Sequence, residues 1–233
     1  MKHIALLLAG GKGYRMNASQ PKQYMEVDGE MIILHTMRAF EKHPLITDIY
    51  VVCAREWEVE VENQARLGEI KKFRGTVAGG ETSFDSIRHG VSALQQEESE
   101  ESIVLVHDAV RPLVTQDIIS RNIAVCLTHG NAITALNSQE AFMQTTDGQL
   151  SSSYIPRENL MRAQTPHTFP LQQLVEMMRQ VQARNIKESQ SLFTLANELG
   201  HTPLYIAQGD ALNFKITIPS DILIYQALKS IEL

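Results

Sequence analysis

Two cysteines, one tryptophan and no long apolar run: this 233-residue sequence is marked as much by shortage as by content. Cys53 and Cys126 sit in separate apolar segments, "IYVVCA" and "IAVCLT". A disulfide framework or thiolate metal site needs more cysteines at closer spacing, so both read as buried core thiols. No apolar stretch reaches the ~18–20 residues that cross a bilayer, so no membrane association is expected. The chain begins directly with strand-forming residues, without an apolar segment and small-residue cleavage site, and a cytoplasmic protein is expected. Positive charge is also in deficit. Lys and Arg number 21 against 27 Asp and Glu, and the formal charge of −6 argues against a broad nucleic-acid surface. The acidic run "EESEES" at residues 97–102 is expected to be a solvated loop.

What the chain does have is alternation. "HIALLLA" is a continuous apolar run of the kind found in a strand covered on both faces. "DIYVVCA" and "SIVLVHDA" repeat the pattern, and "NAITAL" and "PLYIAQ" read as two later strands. Between them Ile33, Met37 and Phe40 recur at helical spacing, and Phe84, Ile87, Val91 and Leu94 form one helical stripe. Thr82 or Ser83 suits the N-cap of that second helix, and Thr115 the N-cap of the next. Further helices are expected near residues 171–181, near residues 189–199 and after Pro219. Such alternation predicts an α/β fold with a mostly parallel sheet and helices on both faces, in one domain spanning residues 1–233. Ligands of these sheets bind at the carboxyl ends of the strands. One segment departs from the rhythm. "SQEAFMQTTDGQLSSSYIP", within residues 138–156, carries Asp147-Gly148 between two polar stretches, a hairpin signal in a segment too polar for the core. A projecting β-arm is expected there.

The strand ends carry the chemistry. "LLLAGGKGYRMNASQPKQY" joins Gly10, Gly11 and Gly13 to Lys12, Arg15 and Lys22 directly after the first strand. It lacks the G-x-x-x-x-G-K-[ST] of a Walker loop, and Met16 stands where a dinucleotide fingerprint needs its third glycine. What remains is backbone free of Cβ atoms, able to approach phosphate oxygens, followed by cations to neutralise them. Other strand ends add "GGETSFDS", "HDAVRP", "IPRENLMRAQTPHTF" and "NFKITIP". Singly, Asp108 or Lys215 could belong to an ordinary surface ion pair. Five charged or glycine-rich clusters at corresponding sheet ends are harder to assign to the surface.

Taken in order, "LLAGGKGYRM…PKQY", "GGE…DSIRHG", "HDAVRP", "R…AQTPHTF" and "NFKITIPSDI" resemble the CTP-dependent cytidylyltransferases of alditol phosphates. The family includes the enzymes acting on 2-C-methyl-D-erythritol 4-phosphate and on ribitol 5-phosphate. The resemblance runs from about residue 3 to residue 228. It implies a Rossmann-like nucleotidyltransferase fold, Mg²⁺ brought with CTP, and a homodimer whose β-arms cross between subunits. It implies that Arg15 and Lys22 meet the CTP phosphates and that Lys215 assists at the α-phosphate. Ala9, Gly10, Gly11, Gly13, Gly80, Glu81, Ser86 and Ala109 would surround cytosine and ribose. Asp108, Arg111 and Thr165 would contact the alditol phosphate, with Arg157 reaching in from the partner's arm. No metal ligand is assigned.

Three positions depart from the family's pattern. Ser83 replaces an arginine, Glu140-Ala141 replaces an Asp-Thr pair in the arm, and "KESQS" replaces a Thr-Asp-rich stretch. All three belong to the alditol side. The favoured acceptor is 2-C-methyl-D-erythritol 4-phosphate, with ribitol 5-phosphate or a related alditol phosphate as the alternative. A non-catalytic dimeric paralogue is the reading from another class, and retention of Arg15, Lys22, Asp108, Arg157 and Lys215 counts against it.

Overall fold

The structure is a computed structural model that describes residues 1–11 and 20–231. Its frame is a sheet with strand order β11-β7-β10-β6-β1-β4-β5. The strands are β1 (His3–Ala9), β4 (Asp48–Cys53), β5 (Phe73–Ala78), β6 (Ile103–Asp108), β7 (Ala132–Asn137), β10 (Met161–Pro170) and β11 (Ile206–Gln208). All run parallel except β10, which is antiparallel to both of its neighbours. Two short strands, β2 (Glu26–Val27) and β3 (Glu30–Met31), form a ribbon beside it.

Helices cover both faces, which is why the central strands are apolar without interruption. On one face Ala5, Leu7, Val51 and Leu105 pack under α1 (Ile32–Glu41), α2 (Glu58–Leu67) and α4 (Gln116–His129). On the other, Ile4, Leu6, Val52 and Val106 pack under α3 (Ser83–Glu97), α5 (Leu171–Ala183) and α6 (Leu192–Leu199). The remaining helix, α7 (Pro219–Lys229), closes a smaller cluster with Val110 and Ile216. Caps fall where expected. Thr82 and Asp85 form a reciprocal capping box on α3, and the Thr115 hydroxyl accepts from Ile118 N–H at α4. Cys53 and Cys126 are buried free thiols, as their apolar segments implied.

The arm consists of β8 (Phe142–Gln144) and β9 (Ser153–Ile155), an exposed antiparallel pair closed around Asp147-Gly148. The Asp147 carboxylate accepts from the backbone N–H groups of Gln149 and Leu150 and holds the turn. Phe142, Met143, Leu150 and Tyr154 all stand exposed on it.

Three expectations need correction. The acidic run is not uniformly solvated. The Glu98 carboxylate is nearly buried and pairs with Lys2 at 2.9 Å, while accepting from the Tyr50 hydroxyl at 2.8 Å. Ser102, at the end of the run, is buried. The strand read from "PLYIAQ" is limited to its last three residues. The alternation also omitted β5 and β10. β5 is an edge strand whose register slips beside Gly75, which removes its period. β10 contains Pro166, which argues against a central strand. The structure accommodates it where the β10–β7 register shifts, between Ala163 and His167, a place where ladder hydrogen bonds are interrupted anyway.

Candidate active site

Parallel strands of different lengths bring their carboxyl ends to one edge of the sheet, and the predicted clusters meet there. β1 delivers Gly10 and Gly11, β5 delivers Gly79 and Gly80, and β6 delivers Asp108. β10 enters in the opposite direction, with His167 facing Val106 in register. Its irregular segment therefore places Thr165 beside Asp108, whose N–H donates to the Thr165 hydroxyl at 3.1 Å. The chain leaves this edge after β7 to form the arm and returns into β10, since Met161 pairs with Asn137.

Three adjoining hollows line the edge. The middle one, about 220 Å³, is bordered by Gly10, Gly11, Lys22, Ser83, Ser86, Asp108 and Lys215, among others. A wider one of about 660 Å³ shares Gly10 and Gly11 and adds Gly80, Glu81, Arg55 and His89. A third, about 190 Å³, shares Asp108, Lys215 and Ser83 and adds Arg111, Thr165, His167 and Gln190.

The glycine side is a matter of close approach. A Cβ on Gly10 would lie 2.6 Å from the Ser86 hydroxyl oxygen, and one on Gly80 would lie 2.1 Å from Asp85 Cβ. Only glycine lets the ends of β1 and β5 close on the start of α3. The Ser86 hydroxyl accepts from Gly80 N–H at 3.3 Å and donates to the Thr82 carbonyl at 3.0 Å. On the opposite side the Gln23 amide donates to the carbonyls of Ala9 and Gly11, and the Tyr24 hydroxyl donates to that of Ala9 at 2.9 Å. Tyr24 is itself stacked on Trp57 with ring centroids 4.1 Å apart.

The other side is a knot of charges. Asp108 accepts from Arg111 Nε at 2.9 Å and from Lys215 Nζ at 3.0 Å. Arg111 also donates to the Asn213 carbonyl at 2.8 Å, which ties the loop before α7 to the end of β6. Burial alone would raise the Asp108 pKa, but the charges of Lys215 and Arg111 reverse that and hold it well below the carboxylate range. Behind this group His107 is fully buried, and desolvation pushes its pKa down to about 3. His167 is pushed down to about 4 for the same reason.

Of the residues singled out in the sequence, Gly10, Gly11, Gly80, Glu81, Ser86, Lys22, Asp108, Arg111, Thr165 and Lys215 all line this edge. Ala9 and Ala109 do not present side chains there. Both methyls are buried in the core beneath α1 and α4, and the Ala9 carbonyl is already taken by Gln23 and Tyr24. Arg157 is exposed at the foot of the arm, outside the three hollows of its own chain. Gly13 and Arg15 lie outside the described residues. Sequence reasoning overlooked Gln23, His107, Gln164 and Asn213. Their signal was present but faint: each is a polar residue inside a quoted motif, later found to be buried.

A search for known relatives gives the frame an identity. The family model described as 2-C-methyl-D-erythritol 4-phosphate cytidylyltransferase matches residues 3–230. The chain belongs to this cytidylyltransferase family. Among curated relatives, the ribitol-5-phosphate cytidylyltransferase of Lacticaseibacillus paracasei is 34% identical over 226 residues, covering 96% of each chain. The 2-C-methyl-D-erythritol 4-phosphate cytidylyltransferase of Syntrophus aciditrophicus is 32% identical over 228 residues, covering 97% of this chain and 95% of the other. Among solved structures, a 4-diphosphocytidyl-2C-methyl-D-erythritol synthase superposes with a TM-score of 0.81 at 26% identity, over 98% of both chains. The Francisella tularensis 2-C-methyl-D-erythritol 4-phosphate cytidylyltransferase gives 0.79, also at 26% identity, over 97% of this chain and 99% of the other. As a member of the cytidylyltransferase family, the chain is a nucleotidyltransferase, and its α/β frame is the family's. Among the described residues no helix is long and apolar enough to cross a membrane.

Proposed function

We propose that the chain transfers the cytidylyl group of CTP to the phosphate of an alditol phosphate, with 2-C-methyl-D-erythritol 4-phosphate as the acceptor, releasing pyrophosphate. The observation that carries the reading is the single cleft in which Gly10, Gly11 and Ser86 face Lys22, Asp108 and Lys215. The acceptor's phosphate is the nucleophile and is already anionic, so no general base is required. Its oxygen forms a bond to the α-phosphorus, the bond to the bridging oxygen of the β-phosphate breaks, and that oxygen leaves with its electron pair on pyrophosphate. The barrier lies in assembling several anions and stabilising charge on the departing group, work done by positioning and fixed cations.

In this reading Gly10, Gly11, Gly80 and Ser86 hold cytosine and ribose, and Lys22 and Arg15 meet the triphosphate. Lys215 serves at the α-phosphate while Asp108 fixes its ammonium. Arg111 stands on the acceptor side. Both Asp108 oxygens are engaged by Arg111 and Lys215, so the donor set suits a Mg²⁺ carried by CTP's own phosphate oxygens. Bound there it would offset triphosphate charge. The exposed apolar arm is supported as a homodimer contact that brings Arg157 to the neighbouring subunit's acceptor site. Two buried thiols and a demand for CTP suit a cytoplasmic setting.

Ribitol 5-phosphate is the second reading. It is favoured by relatives of that name at 33–34% identity. Pyrophosphate release measured with CTP and each alditol phosphate in turn tests both. Turnover with the methylerythritol phosphate at a higher kcat/KM supports the first reading, and the reverse order supports the second. Failure of both acceptors, with CTP·Mg²⁺ still bound, removes the alditol phosphate from the proposal.

A further inference from the structure

Beneath the acceptor side lies a closed chain of hydrogen bonds whose polarity follows from chemistry. His107 Nε2 lies 3.3 Å from the Arg111 carbonyl oxygen. A carbonyl only accepts, so Nε2 carries the ring proton. His107 is fully buried beside the Arg111 guanidinium, where a second ring proton is strongly disfavoured. Nδ1 is therefore bare, and at 3.1 Å from the Thr165 hydroxyl it must be the acceptor of the Thr165 proton. Asp108 N–H then donates into one lone pair of the same oxygen at 3.1 Å. The circuit closes through Arg111, whose Nε donates to the Asp108 carboxylate at 2.9 Å.

We propose that His107 is a positioning residue that commits the Thr165 proton inward, so that Thr165 offers the acceptor substrate one oxygen lone pair and no donor. The proposal rests on the reading that the hollow bounded by Asp108, Arg111, Thr165 and Lys215 receives the alditol phosphate. A bare phosphate oxygen has no favourable contact with such a hydroxyl. A hydroxyl of the alditol chain does, since it can donate into the free lone pair. The phosphate is thus directed to the cations and the hydroxylated chain to Thr165, which narrows the alditol-phosphate contact that family resemblance implies for this residue to the hydroxylated part of the substrate. To bind phosphate instead, Thr165 would have to turn its proton away from His107 and leave a buried ring nitrogen unpaired.

The test compares His107→Phe, His107→Asn, Thr165→Val and the double variant His107→Phe/Thr165→Val, with Tm recorded for each. His107→Phe keeps a ring against Phe40 but removes both nitrogens. Its KM for the alditol phosphate should rise roughly tenfold while the KM for CTP stays within about twofold. The double variant should be no worse than Thr165→Val alone, because both lesions cut one circuit. His107→Asn, whose Oδ1 can stand in for Nδ1, should recover most of the loss and remains informative if the Phe variant fails to fold. For the substrate itself, a deoxy alditol phosphate lacking the hydroxyl read by Thr165 should be penalised by wild type and not by Thr165→Val. Additive losses, or KM values for CTP and acceptor that rise together, overturn the proposal. Unequal penalties that survive Thr165→Val for every deoxy analogue also overturn it. Wild-type protein that turns over neither alditol phosphate overturns the acceptor reading and this proposal with it.

Discussion

The two sides of the cleft are built from different material. On the glycine side the surfaces are backbone at Gly10, Gly11 and Gly80, braced by a hydroxyl from Ser86 and an amide from Gln23. On the charged side they are side chains drawn from distant parts of the chain, with Asp108 from β6, Thr165 from β10 and Lys215 from the loop before α7. Backbone contacts depend on which residues are absent, since a single Cβ is enough to fill them. Side-chain contacts depend on which residues are present and on the loops that bring them together. Surfaces of the first kind can stay fixed while surfaces of the second kind change residue by residue. Among the departures from the family's pattern, Ser83 borders both the middle and the third hollow, Gln190 borders the third, and Glu140-Ala141 stands exposed on the arm.

The sharpest way to separate the halves is to break each in a different chain. Lys22→Ala should lower kcat by roughly two or more orders of magnitude, through loss of a cation facing the departing pyrophosphate. If Arg157 serves the neighbouring subunit, a dimer with Lys22→Ala in one chain and Arg157→Ala in the other has one doubly damaged site and one intact site. The isolated mixed dimer should then show about half of wild-type activity, as measured by pyrophosphate release. Activity that stays at the level of the parent variants places both residues in one chain's site.

An intermediate effect is expected from one methyl group. Gly80→Ala puts a Cβ against Asp85, and the backbone must shift to relieve it. CTP affinity by calorimetry should fall about tenfold and stability by ~1–3 kcal/mol, as for overpacking elsewhere. An unchanged acceptor KM would show that the halves are separable; a matching rise would show that they are mechanically joined through α3. The smallest expected effect is at the same helix. Thr82→Ala removes the capping box and should cost ~1 kcal/mol by denaturant midpoint, with kcat nearly unchanged.

The same contrast explains what was legible before the structure. Strands β1, β4 and β6 were evident because burial on both faces leaves no polar positions to blur them, and Thr82 and Thr115 were evident because capping is local. Gly10, Gly11, Asp108 and Lys215 could be placed at strand ends by alternation alone. β10 could not, because its proline and polar residues read as a loop until a ladder irregularity is there to hold them. His107 was invisible for another reason. It sits one residue from Asp108 in an obvious motif, but pleating sends the two side chains to opposite faces, and only the tertiary circuit reveals the buried ring. Ala9 and Ala109 border the motifs but turn their methyls inward, so any part they take in the site is through backbone.

The stack of Trp57 on Tyr24 carries a practical consequence. The sequence holds no other tryptophan, so near-ultraviolet emission excited selectively at the indole comes from one known place. That place is half-buried, and its stacking partner holds the Ala9 carbonyl at the end of β1, beside the glycine-lined hollow. The protein thus contains its own optical probe of that strand end. An emission change on adding CTP reads the environment of the loop that Gln23 and Tyr24 secure, without a label and without turnover.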